Sequence, residues 1–220
     1  MHAAVETVPC ETGEMGIYAD QVLPRLIDKL CGAKDMTVLR ERAVAGLHGT
    51  VLEIGFGSGL NIPVYPPEVT LVYAVDPATV GRKLAAKRIA ASPVRIEFVG
   101  LDGQQIALPD ESCDSALSTY TLCTIPDPAR ALAEVRRILK PGGTFHFVEH
   151  GLAPDADIVR KQRRIEPLNR RLAGGCHLTR DHWALLHDAG FVLDHKVAEY
   201  GKGPKAYAFH YLGAASKQAG

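Results

Sequence analysis

Nine residues restrict the fold of this chain more than any others. Val51-Leu52-Glu53-Ile54 is a short β-forming run, and Gly55-Phe56-Gly57-Ser58-Gly59 follows it with glycine at every second position. Alternating glycines let the backbone enter positive φ and remove each Cβ that would hold a ligand off the main chain. A strand that runs into such a turn places it at the carboxyl edge of a sheet, the crevice where open α/β sheets bind ligands. The stretch therefore predicts a nucleotide-cofactor turn in an α/β fold.

Spacing separates two kinds of cofactor. A dinucleotide turn is G-x-G-x-x-G and opens a helix whose N-terminus holds a pyrophosphate. Here the third glycine comes one residue early and Glu53 stands before the first. A carboxylate at a strand end suits S-adenosylmethionine, which has an α-amino group, a net positive charge and no pyrophosphate. The neighbouring segments agree. Leu71-Val72-Tyr73-Ala74-Val75 is a second strand run ending in Asp76, about twenty residues after the turn, where an acid takes the hydroxyls of an adenosine ribose. A third run, Val94 to Val99, leads into Asp102-Gly103-Gln104. A fourth precedes Ser118-Thr119-Tyr120-Thr121-Leu122, and Leu139-Lys140-Pro141-Gly142-Gly143 precedes a fifth.

With 220 residues and 46% hydrophobic content the chain suits one compact domain. The expected division is a flexible N-terminus over 1–15, a helical lid over 16–49 and a core over 50–220. Asp20 caps a first helix with Val22, Leu23, Leu26, Ile27 and Leu30 on one face. A second helix runs from about Asp35 to Gly46. Asp127-Pro128 opens another, and Asp155 to Leu172 should turn Ile158, Ile165, Leu168 and Leu172 inward, with Pro167 kinking or splitting it. Strands Phe191 to Val197 and Lys205 to Leu212 close the sheet without a helix between them, as an antiparallel hairpin. The 25 basic and 25 acidic residues balance, so overall charge gives no case for nucleic acid. Five cysteines without a C-x-x-C pair argue against a disulfide framework or zinc knuckle. No apolar run approaches a membrane span, and the expectation is a cytoplasmic protein.

From Glu53 to Glu149 the order of these motifs resembles the class I methyltransferases. The resemblance implies a Rossmann-like, doubly wound sheet of seven strands, mostly parallel with a C-terminal antiparallel hairpin, and S-adenosylmethionine across strands one, two and four. Finer likeness lies in Glu53 to Asn61, Thr121-Leu122-Cys123-Thr124-Ile125, Phe147-Val148-Glu149-His150-Gly151 and Gly174-Gly175-Cys176-His177-Leu178-Thr179-Arg180. This set is similar to the methyltransferase-like group that includes the animal thiol S-methyltransferases and bacterial relatives. The animal members of that group carry an apolar N-terminal anchor, and none is expected here. More distant likeness is to phosphatidylethanolamine N-methyltransferases and quinone C-methyltransferases.

The resemblance assigns cofactor contacts to Glu53, Gly55, Gly57, Gly59, Asn61, Asp76, Asp102, Gly103, Thr119 and Tyr120. Asp102 stands where the fold places an acceptor for the adenine amino group, or is a solvated turn residue. Tyr18, in the lid, is either a cofactor contact or a half-buried aromatic at a helix start. His150 and His177 lie at element ends where an acceptor pocket should open. Each is a candidate base or a hydrogen-bonded structural histidine. Glu149 either orients substrate or bonds a neighbouring loop. Cys123 and Cys176 read as small buried hydrophobes, and Cys176, His177 and His182 lack zinc spacing; no metal is expected. Arg160, Lys161, Arg163, Arg164, Arg170 and Arg171 form a solvated helix face or a peripheral contact to anionic lipid.

Methyl transfer from a sulfonium needs no general acid, and alignment of nucleophile, methyl and sulfur supplies most of the acceleration. A thiol of pKa roughly 8.5 is several per cent ionised near neutrality, whereas a phenol near 10 needs about 2 kcal/mol more help. A small-molecule thiol is therefore the first acceptor expected, ahead of an amine such as phosphatidylethanolamine, a phenol or a quinone. A non-catalytic cofactor-binding protein is the reading from another class. The sequence leaves the oligomeric state open.

Overall fold

The computed structural model describes Tyr18 and residues 22–217; the stretch 1–15 and the cap Asp20 lie outside the described residues. Seven strands form one sheet: β1 (Gly49–Ile54), β2 (Val69–Val75), β3 (Arg95–Gly100), β4 (Cys113–Thr119), β5 (Leu139–His150), β6 (Phe191–Tyr200) and β7 (Phe209–Lys217). Their order is β3-β2-β1-β4-β5-β7-β6. The first five pair in parallel, and β7 runs antiparallel to both β5 and β6. Around them lie α1 (Leu23–Cys31), α2 (Lys34–Val44), α3 (Thr79–Ala90), α4 (Pro128–Ile138), α5 (Ala156–Leu172) and α6 (His182–Asp188). This is the doubly wound sheet with the edge hairpin that the sequence predicts. The winding reverses between β1 and β4, which opens a crevice beyond their carboxyl ends.

A central parallel strand is buried on both faces, and β1 shows how that aims its side chains. Leu52 and Ile54 enter the main core with Leu132, Val135 and Ile138 of α4. Val51 packs on the opposite side with Val44 and Leu47, at the end of α2. Glu53 shares the face of Val51 by strand alternation, so its carboxylate is carried toward α2. Local signals set the helix starts. Asp127 accepts from the Arg130 N–H at 3.0 Å, with Pro128 in the first turn. Asp181 accepts from the N–H groups of Trp183 and Ala184 at 3.0 and 3.2 Å.

Three details differ from the sequence expectation. Leu168 and Leu172 are 62% and 50% exposed. Only the first half of α5 is anchored: Ile158 is buried, and buried Gln162 donates to the Gly151 and Ala206 carbonyls and accepts from the Ala153 N–H. Pro167 lies within one continuous helix, whose last turns leave the core. β7 starts four residues later than expected, because Pro204 to Ala208 close a turn through Tyr207 N–H to Pro204 O and Ala208 N–H to Lys205 O. The glycine turn opens onto only a short 3₁₀ stretch, Ile62–Val64, since Pro63, Pro66 and Pro67 deny a longer helix its N–H donors.

Candidate active site

Gly55, Gly57 and Gly59 all have positive φ, +75°, +55° and +74°. The turn is pinned to β2: the N–H of Gly55 donates to Val75 O at 2.8 Å, and that of Gly57 to Asp76 Oδ2 at 2.7 Å. Asp76 Oδ1 accepts from the Ala78 N–H at 2.7 Å. Burial pushes the Asp76 carboxyl above the usual range despite those two bonds. A Cβ on Gly55 would lie 1.9 Å from Thr121 Oγ1, so the loop after β4 can approach only a glycine there. Tyr120, in that loop, holds the left-handed φ of +55°, a strain that non-glycine residues keep where the surrounding structure enforces it.

Behind the turn, α2 supplies a buried cation. Arg40, 4% exposed, donates from one Nη1 to Asn61 Oδ1 at 3.0 Å and Thr119 Oγ1 at 2.7 Å. Asn61 Nδ2 donates to Glu53 Oε1 at 2.8 Å, and the Tyr65 hydroxyl donates to the other Glu53 oxygen. Burial pushes Glu53 up to about 7, outweighing the bonds from Tyr65 and Asn61. The Nε of Arg40 is buried and has no hydrogen-bond partner among the described residues.

A cavity of about 580 Å³ lies over the turn, a size usual for small-molecule sites. Gly55, Gly57, Asn61 and Asp76 line it on the β1–β2 side. Asp102, Gly103, Thr119 and Tyr120 line it on the β3–β4 side. Asp102 Oδ1 accepts from the backbone N–H and side chain of Gln104, which hold its carboxyl below the usual range. Six expected residues sit elsewhere: Glu53, Gly59, Tyr18, His177, Glu149 and His150. Glu53 reaches the cavity through Asn61, and Gly59 packs against Ile62 and Ala85. The Tyr18 hydroxyl donates to the Leu172 carbonyl at 2.9 Å, and His177 sits beside Glu166, 3.5 Å away. Wall residues that sequence reasoning missed are Arg40, Cys31 and the apolar set Leu23, Pro24 and Ile27 of α1. The visible signal for Arg40 was a cation on the inward face that Leu39, Ala43 and Val44 define.

Residues 52–147 match the family model described as a methyltransferase domain. The chain carries a class I methyltransferase domain. It is 37% identical over 146 residues to thiol S-methyltransferase TMT1B of Rattus norvegicus, covering 64% of this chain and 59% of that protein. With the Homo sapiens TMT1B it shares 35% over 156 residues, covering 68% and 64%. The chain thus spans about three fifths of the length of these curated relatives. A putative methyltransferase of Bacillus halodurans superposes with a TM-score of 0.68 at 19% identity, covering 83% of this chain and 99% of that one. Among the described residues no helix is long and apolar enough to cross a membrane.

The cofactor of such a domain is S-adenosylmethionine, and the residues present fit it. The unpartnered Arg40 Nε suits a carboxylate, and Asp76, buried at the end of β2, has lone pairs left for ribose hydroxyls. The open space at Gly57, where an added Cβ would meet nothing nearer than 3.9 Å, leaves room for a ligand on the main chain.

Three side chains also meet behind the cavity wall. His150 Nε2 is 3.8 Å from Cys123 Sγ and 3.3 Å from Cys176 Sγ. Interaction between the two neighbouring thiols draws Cys176 down and pushes Cys123 up. Glu149 is fully buried, and its carboxylate accepts from Ser118 Oγ at 2.7 Å and from the N–H groups of Thr121, Leu122 and Cys123 at 2.9, 3.0 and 3.3 Å. None of Glu149, His150 and His177 lines the cavity.

Proposed function

We propose that this chain transfers the methyl group of S-adenosylmethionine to the sulfur of a small thiol. The observation that carries the reading is the make-up of the cavity wall. Among the described residues its ionisable groups are Cys31, Arg40, Asp76, Asp102 and Tyr120, with no imidazole, and α1 covers one side with Leu23, Pro24 and Ile27. Such a wall suits an apolar nucleophile that ionises without help. A thiol does so, and the curated relatives named above are thiol S-methyltransferases.

In this reading Asp76 takes the ribose hydroxyls, Asp102 the adenine amino group and Arg40 the carboxylate. The main chain at Gly55, Gly57, Gly103, Thr119 and Tyr120 lies against the body of the cofactor. Glu53 acts through Asn61, which holds Arg40 in place, and Gly59 lets the turn pack onto α3. Residues 16–49 act as a lid, which Tyr18 ties to the end of α5. The thiolate attacks the methyl carbon in line with the sulfonium; the carbon–sulfur bond breaks and its electron pair neutralises the sulfur. The acceptor's proton leaves to solvent, since no imidazole is among the described residues that line the cavity. We also propose a cytoplasmic location, which suits free thiols at Cys31, Cys113, Cys123 and Cys176; fractionation of cells tests it.

Calorimetry with S-adenosylmethionine and NAD, followed by initial rates on an alkyl thiol, a phenol and an ethanolamine lipid, tests the reading. Expected are binding of the sulfonium alone and thiol turnover that rises with pH through the thiol's own ionisation. A loss of about a hundredfold or more in rate in His177→Gln or His150→Gln, with cofactor affinity intact, would instead mark that histidine as a base. Turnover of the amine or phenol but of no thiol would end the thiol reading and leave methyl transfer standing.

A further inference from the structure

Cys123, His150 and Cys176 are far apart in sequence and come from three different elements: the loop after β4, the end of β5 and the loop after α5. Each offers one ligand atom, and the three atoms lie within 4.8 Å of one another. Tetrahedral zinc, with Zn–S about 2.3 Å and Zn–N about 2.05 Å, sets sulfur and nitrogen about 3.6 Å apart and two sulfurs about 3.8 Å apart. The observed sulfur–nitrogen separations of 3.8 and 3.3 Å bracket the first value. We propose that Cys123, His150 and Cys176 form a zinc site with three protein ligands and an open fourth position.

The surroundings suit a metal centre. Two thiolates neutralise the divalent charge, and thiolate with imidazole is the donor set that selects zinc over magnesium or calcium. Groups one step out hold the ligands in place, as such partners do in metal sites. Glu149 fixes the backbone N–H of Cys123. Asn169 donates to the Cys176 carbonyl at 2.8 Å, and the His177 N–H donates to the Cys123 carbonyl at 2.8 Å, clamping the two cysteine loops together. Thr124 and Gly175, the chain neighbours of the two cysteines, line the cavity. The centre thus stands directly behind the wall of the large cavity, without depending on what reaction that cavity performs.

The test is metal binding by the full chain, reduced, stripped with chelator and titrated with cobalt(II) without oxygen. Expected is stoichiometric uptake with thiolate-to-cobalt charge-transfer absorption and the intense visible bands of tetrahedral cobalt, both bleached by zinc(II). Cys123→Ser and Cys176→Ser should each remove the charge-transfer band or halve it, whereas Cys113→Ser, on β4, should keep it. Asn169→Ala should weaken cobalt binding about tenfold with the spectrum retained. Absence of charge-transfer absorption in the wild-type chain would overturn the site, and so would an unchanged band in the Cys123→Ser, Cys176→Ser double variant. The first of those readings needs no variant to fold, and neither needs methyl transfer to occur.

Discussion

Two glycines of the turn carry different burdens, and single alanines separate them. Gly55→Ala drives its Cβ to 1.9 Å from Thr121 Oγ1 at a φ of +75°. Left-handed strain of about 1–2 kcal/mol and overpacking of about 1–3 kcal/mol add up there, so thermal unfolding should show a loss of about 3 kcal/mol. Gly57→Ala meets nothing nearer than 3.9 Å. Its stability should fall by only about 1–2 kcal/mol, while the new methyl occupies ligand space and calorimetry should detect no S-adenosylmethionine binding. Asp76→Ala should weaken binding by roughly 1.5–3 kcal/mol, the worth of a charge-assisted hydrogen bond. Glycine spacing and the acid at the end of β2 were legible because neighbours in sequence build them. Arg40 was not, since its partners Asn61 and Thr119 come from two other segments. Nor was the meeting of Cys123, His150 and Cys176, which the sequence shows only as separate motifs.

At the scale of elements, alternating strands and helices and the closing hairpin could be read from the sequence, because each depends on local pattern. What depended on distant surfaces could not. The apolar spacing of α5 implies one buried face along its length, yet the helix finds a core only as far as Gln162, and Leu168 and Leu172 face solvent. On α1, Leu26, Ile27 and Leu30 are likewise exposed, as is Val22 just before it, and Leu23 is buried. Where a local signal does decide, its loss should register. Asp127→Ala removes the cap of α4 and should cost about 1 kcal/mol in urea unfolding. The basic side chains of α5 are exposed, so reversing Arg163, Arg164 and Arg171 together should change stability by no more than about 0.5 kcal/mol per site, with cofactor affinity unchanged.

For the whole molecule, the response to pH combines opposing groups. Buried carboxyls are raised: Glu53 from an ordinary 4.5 to about 7, with Asp76 and Glu149 also up, chiefly through desolvation. The folded state then holds their protons at a higher pH than the unfolded chain does, so these groups add stability as pH falls from 7 to 4.5. Buried histidines do the reverse. His182 falls from 6.5 to about 3 and His210 to about 4, mainly by desolvation, and His146 and His177 are lowered too. Folding keeps them neutral while the unfolded chain binds protons, so stability falls as pH drops below 6.5. His182 has no way to accommodate the charge: Nε2 meets the His150 carbonyl at 3.1 Å, and Nδ1 is buried without a partner among the described residues. At ~1.4 kcal/mol per pH unit between folded and unfolded values, Glu53 gains about 3 kcal/mol between pH 7 and 4.5, while His182 and His210 each lose about 3. Stability of the wild-type chain in urea should therefore fall gently across that window, because Glu53 offsets only one of the two histidines. It should drop below pH 4.5, where Asp102, Asp114, Glu134 and Glu166, held down by their partners, begin to protonate. Glu53→Gln should steepen that fall by about 3 kcal/mol toward acid, and His182→Asn should lessen it by a similar amount. Parallel pH curves for the wild type and both variants would show that neither buried group sets the balance.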